Sequence, residues 1–138
     1  MRIYFSHGQD PMILDSIKGI NVIHDELQEF LSSDAKSIYF EANLTGGPEM
    51  YAELLVGLEI QKGTGPINLS LTSDRRLLLV GSTENLLRYI TFFKFSEDKE
   101  GQHHHPEYVR VADYIAKGSM SLIIETDSDY INGLEAKS

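Results

Sequence analysis

From Lys36 to Thr72 the hydrophobic residues fall on every second position in three successive runs. Ile38, Phe40 and Ala42 alternate with Ser37, Tyr39 and Glu41. Leu54, Val56, Leu58 and Ile60 alternate with Glu53, Leu55, Gly57, Glu59 and Gln61, and Ile67, Leu69 and Leu71 alternate with Asn68, Ser70 and Thr72. Side chains of an extended chain point alternately to opposite faces, so a period of two places one set in a core and the other against solvent. These are half-buried strands. Asn43-Leu44-Thr45-Gly46-Gly47-Pro48 and Lys62-Gly63-Thr64-Gly65-Pro66 break the runs with turn chemistry, and Ser73-Asp74-Arg75 supplies a hairpin into Arg76 to Val80. The middle of the chain therefore reads as an antiparallel meander, with Gly63-Thr64-Gly65 as a hairpin connection.

The flanks change period. Ile3 and Phe5 alternate with Arg2 and Tyr4 as a short first strand, and Gly8 to Pro11 reads as a loop. Ile20, Ile23, Leu27, Phe30 and Leu31 recur at helical spacing, which predicts an amphipathic helix over residues 19–32. Gly81-Ser82-Thr83-Glu84 is a helix start, because a hydroxyl caps free amides and Glu84 suits the positive end of the dipole. Leu86, Leu87, Ile90 and Phe93 continue its apolar face. Residues 96–102 form a charged loop, 103–111 an extended segment bent or kept at an edge by Pro106, and 119–125 a last strand. The polar tail, 127–138, is expected to fray.

Strands clustered between two helices suit an α+β chain. The expectation is a single domain over residues 1–138, built as a two-layer sandwich. Its antiparallel or mixed sheet would hold about six or seven strands, with both helices on one face. No convincing sequence repeat is visible, although the strand-helix opening and the Ser82 helix invite comparison of the two halves.

Charge narrows the partners. Twelve Lys and Arg stand against twenty-one Asp and Glu in 138 residues, a formal net charge of -9. That argues against nucleic acid held by phosphate contacts and against an anionic membrane surface. Cysteine is absent, which excludes disulfides and thiolate chemistry. The longest aliphatic run, Leu77-Leu78-Leu79-Val80, is far too short to span a membrane. The opening residues lack the apolar core of a secretory signal, so the expectation is a soluble, cytoplasmic protein.

Two constellations carry possible chemistry. On an extended chain His103, His105 and Glu107 share one side, and two imidazoles with a carboxylate are a plausible ligand set for zinc or a redox metal. The alternative is an exposed polar edge strand, which would add to another sheet or to a second copy. No Gly-x-Ser-x-Gly elbow or phosphate-binding fingerprint is present, so neither an enzyme nor a cofactor is expected. The second constellation is electrostatic. Between Asp25 and Gln61 lie eight acidic residues and one basic residue, Lys36. Glu41, Glu53 and Glu59 fall on the polar phase of strands and Asp25 and Glu29 on the helix, so together they predict a carboxylate face for a cationic partner. A solvated face that prevents aggregation is the alternative.

Several segments of the second half also share a pattern. Ile67-Asn68-Leu69-Ser70-Leu71 is followed by Arg76-Leu77-Leu78-Leu79-Val80-Gly81-Ser82, then by Glu84 and Leu86-Leu87. After a charged gap come His103-His104-His105-Pro106-Glu107-Tyr108 and Gly118-Ser119-Met120-Ser121-Leu122-Ile123-Ile124-Glu125. This succession resembles the thirty-second numbered family of bacterial polymorphic-toxin immunity proteins. The sequence departs from that pattern after Tyr108, where Val109-Arg110-Val111-Ala112-Asp113 replaces a Pro-Gly-His turn. The resemblance implies a non-enzymatic protein that binds and neutralises a cognate toxin in the producing cell.

Overall fold

A computed structural model describes residues 1–96, 103–105 and 112–127. Its strands are β1 (Arg2–Phe5), β2 (Met12–Asp15), β3 (Ser37–Glu41), β4 (Glu53–Leu54), β5 (Gly57–Lys62), β6 (Asn68–Leu71), β7 (Arg76–Gly81), β8 (His103–His104) and β9 (Ile123–Thr126). Helix α1 is Ile17–Leu31 and α2 is Thr83–Tyr89, extended by a 3-10 turn, Ile90–Phe93. The chain is α+β, but the single sheet on which both helices were expected to lie is two sheets. One runs β4-β1-β2-β9-β8 and the other β3-β5-β7-β6, which also exceeds the expected six or seven strands.

The departure has a local cause. Met12-Ile13-Leu14 follows the Gly8 to Pro11 loop without alternation and carries no period that marks a strand, yet it forms β2. It is a short central strand, antiparallel to β1 and parallel to β9. Central strands with a parallel neighbour carry continuous apolar runs, and Leu77-Leu78-Leu79-Val80 in β7 is the same signal. β7 therefore takes two partners, β6 antiparallel and β5 parallel. The β6–β7 hairpin is present, but the meander is not. The Gly63-Thr64-Gly65 turn carries the chain past β7 instead of folding β6 back on β5.

Apart from β4, which lies between β3 and β5 in the chain and adds to β1, the two sheets are one arrangement used twice. Each half runs antiparallel pair, helix, antiparallel pair: β1–β2, α1, β3–β5, and then β6–β7, α2, β8–β9. The second pair of each half joins the other half's sheet, through β5 beside β7 and β9 beside β2. Equivalent residues lie the same 66 positions apart, Ser82 against Ser16, Leu86 against Ile20, Leu69 against Ile3 and Leu79 against Ile13. Both serines cap their helices, with Gly19 N donating to Ser16 Oγ at 3.0 Å and Asn85 N to Ser82 Oγ at 3.2 Å. Both Ile20 and Leu86 are fully buried. The repeat sits in the pairing and the caps rather than in residue identity, which is why the sequence hides it.

Ile3, Ile13 and Ile124 lie side by side across one sheet, and Leu69, Leu79 and Ile60 across the other. Both rows join Ile20, Ile23, Leu27 and Phe30 of α1 and Leu86, Tyr89 and Phe93 in one hydrophobic cluster. Burying each such side chain contributes about 1.5–3 kcal/mol. A buried asparagine fixes α1 to the chain after α2: Asn21 Nδ2 donates to Phe95 O at 3.1 Å, and Phe95 N donates to Asn21 Oδ1 at 2.8 Å. The described fold thus leaves α1 and β3 adjacent, with β3 at one edge of its sheet.

Candidate functional site

α1 begins one residue after β2 because Ser16, in extended conformation, caps it, and it ends at Ser32, where Ser32 N donates to Glu29 O and Ser33 N to Phe30 O. Its apolar stripe faces the core, so Asp25, Glu26 and Glu29 are left on the exposed side. Glu26, Glu29, Phe30 and Ser33 are spaced as neighbours on a helix surface. They form one wall of a cleft of about 430 Å³ whose other wall is Ser37, Ile38, Tyr39 and Phe40 of β3. A second depression of about 410 Å³ continues toward the start of α1. Asp15, Gly19, Val22 and Ile23 face Tyr39, Phe40 and Glu41 across it. Tyr39 and Phe40 line both, so the two depressions adjoin along β3 and together make the groove between helix and strand edge.

Val22 and Tyr39 remain about half exposed there. The Tyr39 ring lies over Gly57, where any side chain would collide with it, and its hydroxyl donates to Val56 O at 3.0 Å. Among the described residues Glu26, Glu29 and Glu41 enter no ion pair. Two cations stand at the ends of the groove, both engaged. Lys62 Nζ donates to Ser33 O at 2.6 Å and lies 4.7 Å from the Phe30 ring centre, and the Met1 amino nitrogen meets Asp15 Oδ2 at 3.1 Å.

The five acidic residues singled out from sequence do not form one stripe. Glu29 lines the first cleft and Glu41 the second depression, whereas Asp25 lines neither and lies exposed beside His24 Nδ1 at 3.1 Å. Glu59 lies on β5 with Arg76 Nη1 at 3.2 Å and Gln61 Nε2 at 2.8 Å, so its charge is largely spent within the sheet. Glu53 sits on β4, in the other sheet, bound by the guanidinium of Arg75. That hydrogen bond holds the Glu53 carboxyl below the usual range and the Arg75 guanidinium above its own. Glu26 was overlooked as a site residue. Its signal was the helical spacing to Glu29 and Phe30, which sets two carboxylates beside an aromatic.

The histidine segment divides differently. Among the described residues β8 pairs with β9 at His103 and His104. His104 stacks on Phe95 with ring centres 4.0 Å apart, and its Nδ1 lies 2.8 Å from Phe92 O. His104, the histidine outside the proposed metal set, thus has a packing role. Of the proposed metal set, Glu107 lies outside the described residues. Among the described residues no group of three His, Asp or Glu side chains is placed to hold a metal, and no helix is long and apolar enough to cross a membrane.

Away from these groups, burial pushes the Tyr4 hydroxyl up, and Glu49 Oε2, which accepts from it at 3.1 Å, adds to the rise against the opposing influence of Arg2. Compared with protein-family models, curated proteins and solved structures, the chain finds no match in any of the three.

Proposed function

We propose that the chain is a non-enzymatic immunity protein that binds and neutralises a cognate bacterial toxin in the cytoplasm of the producing cell. The toxin is a cationic protein, with a basic nuclease as the leading class, and no nucleic acid, membrane or cofactor takes part. The observation that carries the reading is the α1–β3 face, where Glu26 and Glu29 line one depression and Glu41 the next, all three without ion-pair partners among the described residues. Complementary potentials of this kind accelerate encounter and select against wrong partners. The succession of motifs in the second half supports the same class. Asp25 and Glu29 then belong to the docking face and Glu41 to its centre, while Glu53 and Glu59 act as framework carboxylates.

Co-expression with the polypeptide encoded by the adjacent gene tests the proposal. The chain is expected to restore growth of cells expressing that polypeptide and to co-purify with it at low salt. Growth inhibition that persists, with no complex at low salt, contradicts the assignment.

A further inference from the structure

The edge of β3 offers more than charge. Lys62 N donates to Lys36 O at 2.9 Å and Ala42 N to Val56 O at 2.9 Å, and the register pairs Ile38 with Ile60 and Phe40 with Leu58. In an antiparallel ladder the bonded pairs alternate, so residues 36, 38, 40 and 42 turn their backbone groups toward β5. The N–H and C=O groups of Ser37, Tyr39 and Glu41 point the other way, along the groove. The opposite edge of this sheet is not comparable, because Ile67 and Leu69 of its β6 side bond to residues 114, 116 and 120.

We propose that this edge binds an extended, lysine- or arginine-rich segment of a partner protein as an additional strand, with α1 as the far wall of its channel. The proposal starts from the acidic face of the preceding reading and specifies its binding mode. Backbone groups of Ser37, Tyr39 and Glu41 supply the ladder. Alternate side chains of the incoming strand enter the groove, where their aliphatic stems cover Phe30, Ile38 and Phe40 and their charged ends reach Glu26 and Glu29. Lys62 already makes one such contact, with its ammonium over Phe30. A second copy of the chain is the wrong occupant, since pairing β3 with β3 would bring Glu26, Glu29 and Glu41 of both copies together on molecules of net charge -9.

The probe is a phage-displayed library of random linear peptides selected on the full chain. The best peptide is then titrated into isotope-labelled protein and followed by amide NMR. Enriched peptides should alternate Lys or Arg with apolar residues, and binding should shift and protect the Ser37, Tyr39 and Glu41 amides. Ser37→Pro removes one outward N–H without touching a bond to β5, and the pair Glu26→Lys with Glu29→Lys reverses the rim. Each variant should keep the thermal midpoint and weaken the peptide by about tenfold or more. Several results would overturn the proposal: no enrichment, enriched peptides without cations, perturbation centred on another surface, equal binding to both variants, or a wild-type dimer that Ser37→Pro dissolves. Because no toxin is involved, this experiment and the co-expression test can fail separately.

Discussion

At the scale of single residues, three polar side chains fix the two helices in place. Ser16 and Ser82 each satisfy one amide at a helix start. Ser16→Ala and Ser82→Ala should each lower stability by about 0.5–2 kcal/mol in urea titrations, and the two losses should add because the sites are separate. Asn21 answers both backbone groups of Phe95 inside the core. Asn21→Ala leaves a buried N–H and a buried C=O without their partner, at about 1–3 kcal/mol for each group, and chemical denaturation should show the larger loss of the three variants. Glu53 gives a pH signature. Its carboxyl titrates lower in the folded chain than in the unfolded one, so the stabilisation is complete above the unfolded value and fades as pH falls through the folded one. Glu53→Gln should therefore reduce stability at neutral pH and flatten the acid limb of a stability-versus-pH curve below about pH 4.5, the ordinary glutamate value. An unchanged acid limb would remove the Arg75 pair as a contributor.

At the scale of elements, the period-2 runs were legible because alternation reports burial on one face only. β3, β5, β6 and β7 stand where Ile38, Leu58, Leu69 and Leu77 place them, and α1 runs two residues beyond its expected start because its cap is Ser16. What stayed hidden was which strand lies beside which. Alternation fixes the face of a strand and carries nothing about its neighbours, so β5, β6 and β7 read as a meander although β5 and β6 flank β7. β2 was missed because a four-residue central strand has an apolar run in place of a period. The five carboxylates do not gather on one stripe: Glu29 and Glu41 line separate depressions beside β3, Asp25 lies outside both, and Glu53 follows β4 into the other sheet. Gly57 tests the geometry of the edge. A side chain at that position meets the Tyr39 ring, so Gly57→Val should swing Tyr39 off its Val56 contact, raise Tyr39 exposure to chemical nitration, and disturb the groove without altering Glu26 or Glu29.

At the scale of the molecule, exchanged strand pairs make the two halves interdependent. Neither sheet forms without strands from both, and both contribute to one hydrophobic cluster. Denaturation should therefore be a single transition. Hydrogen-exchange protection of β2 amides and of β7 amides should vanish at the same denaturant concentration, and two separate midpoints would contradict a shared core. The same topology sets α1, from one half, beside β3, whose sheet is completed by β6 and β7 of the other half. The acidic groove is thus built on a rigid frame. The most direct test of its role is the association rate of the chain with the polypeptide encoded by the adjacent gene, measured at rising ionic strength for the wild type and for the Glu26→Lys, Glu29→Lys, Glu41→Lys variant. Steering by this face predicts a wild-type rate that falls about tenfold or more between roughly 50 and 500 mM salt, and a variant that is slow throughout and nearly salt-independent. Equal rates and equal salt slopes for the two proteins would contradict it.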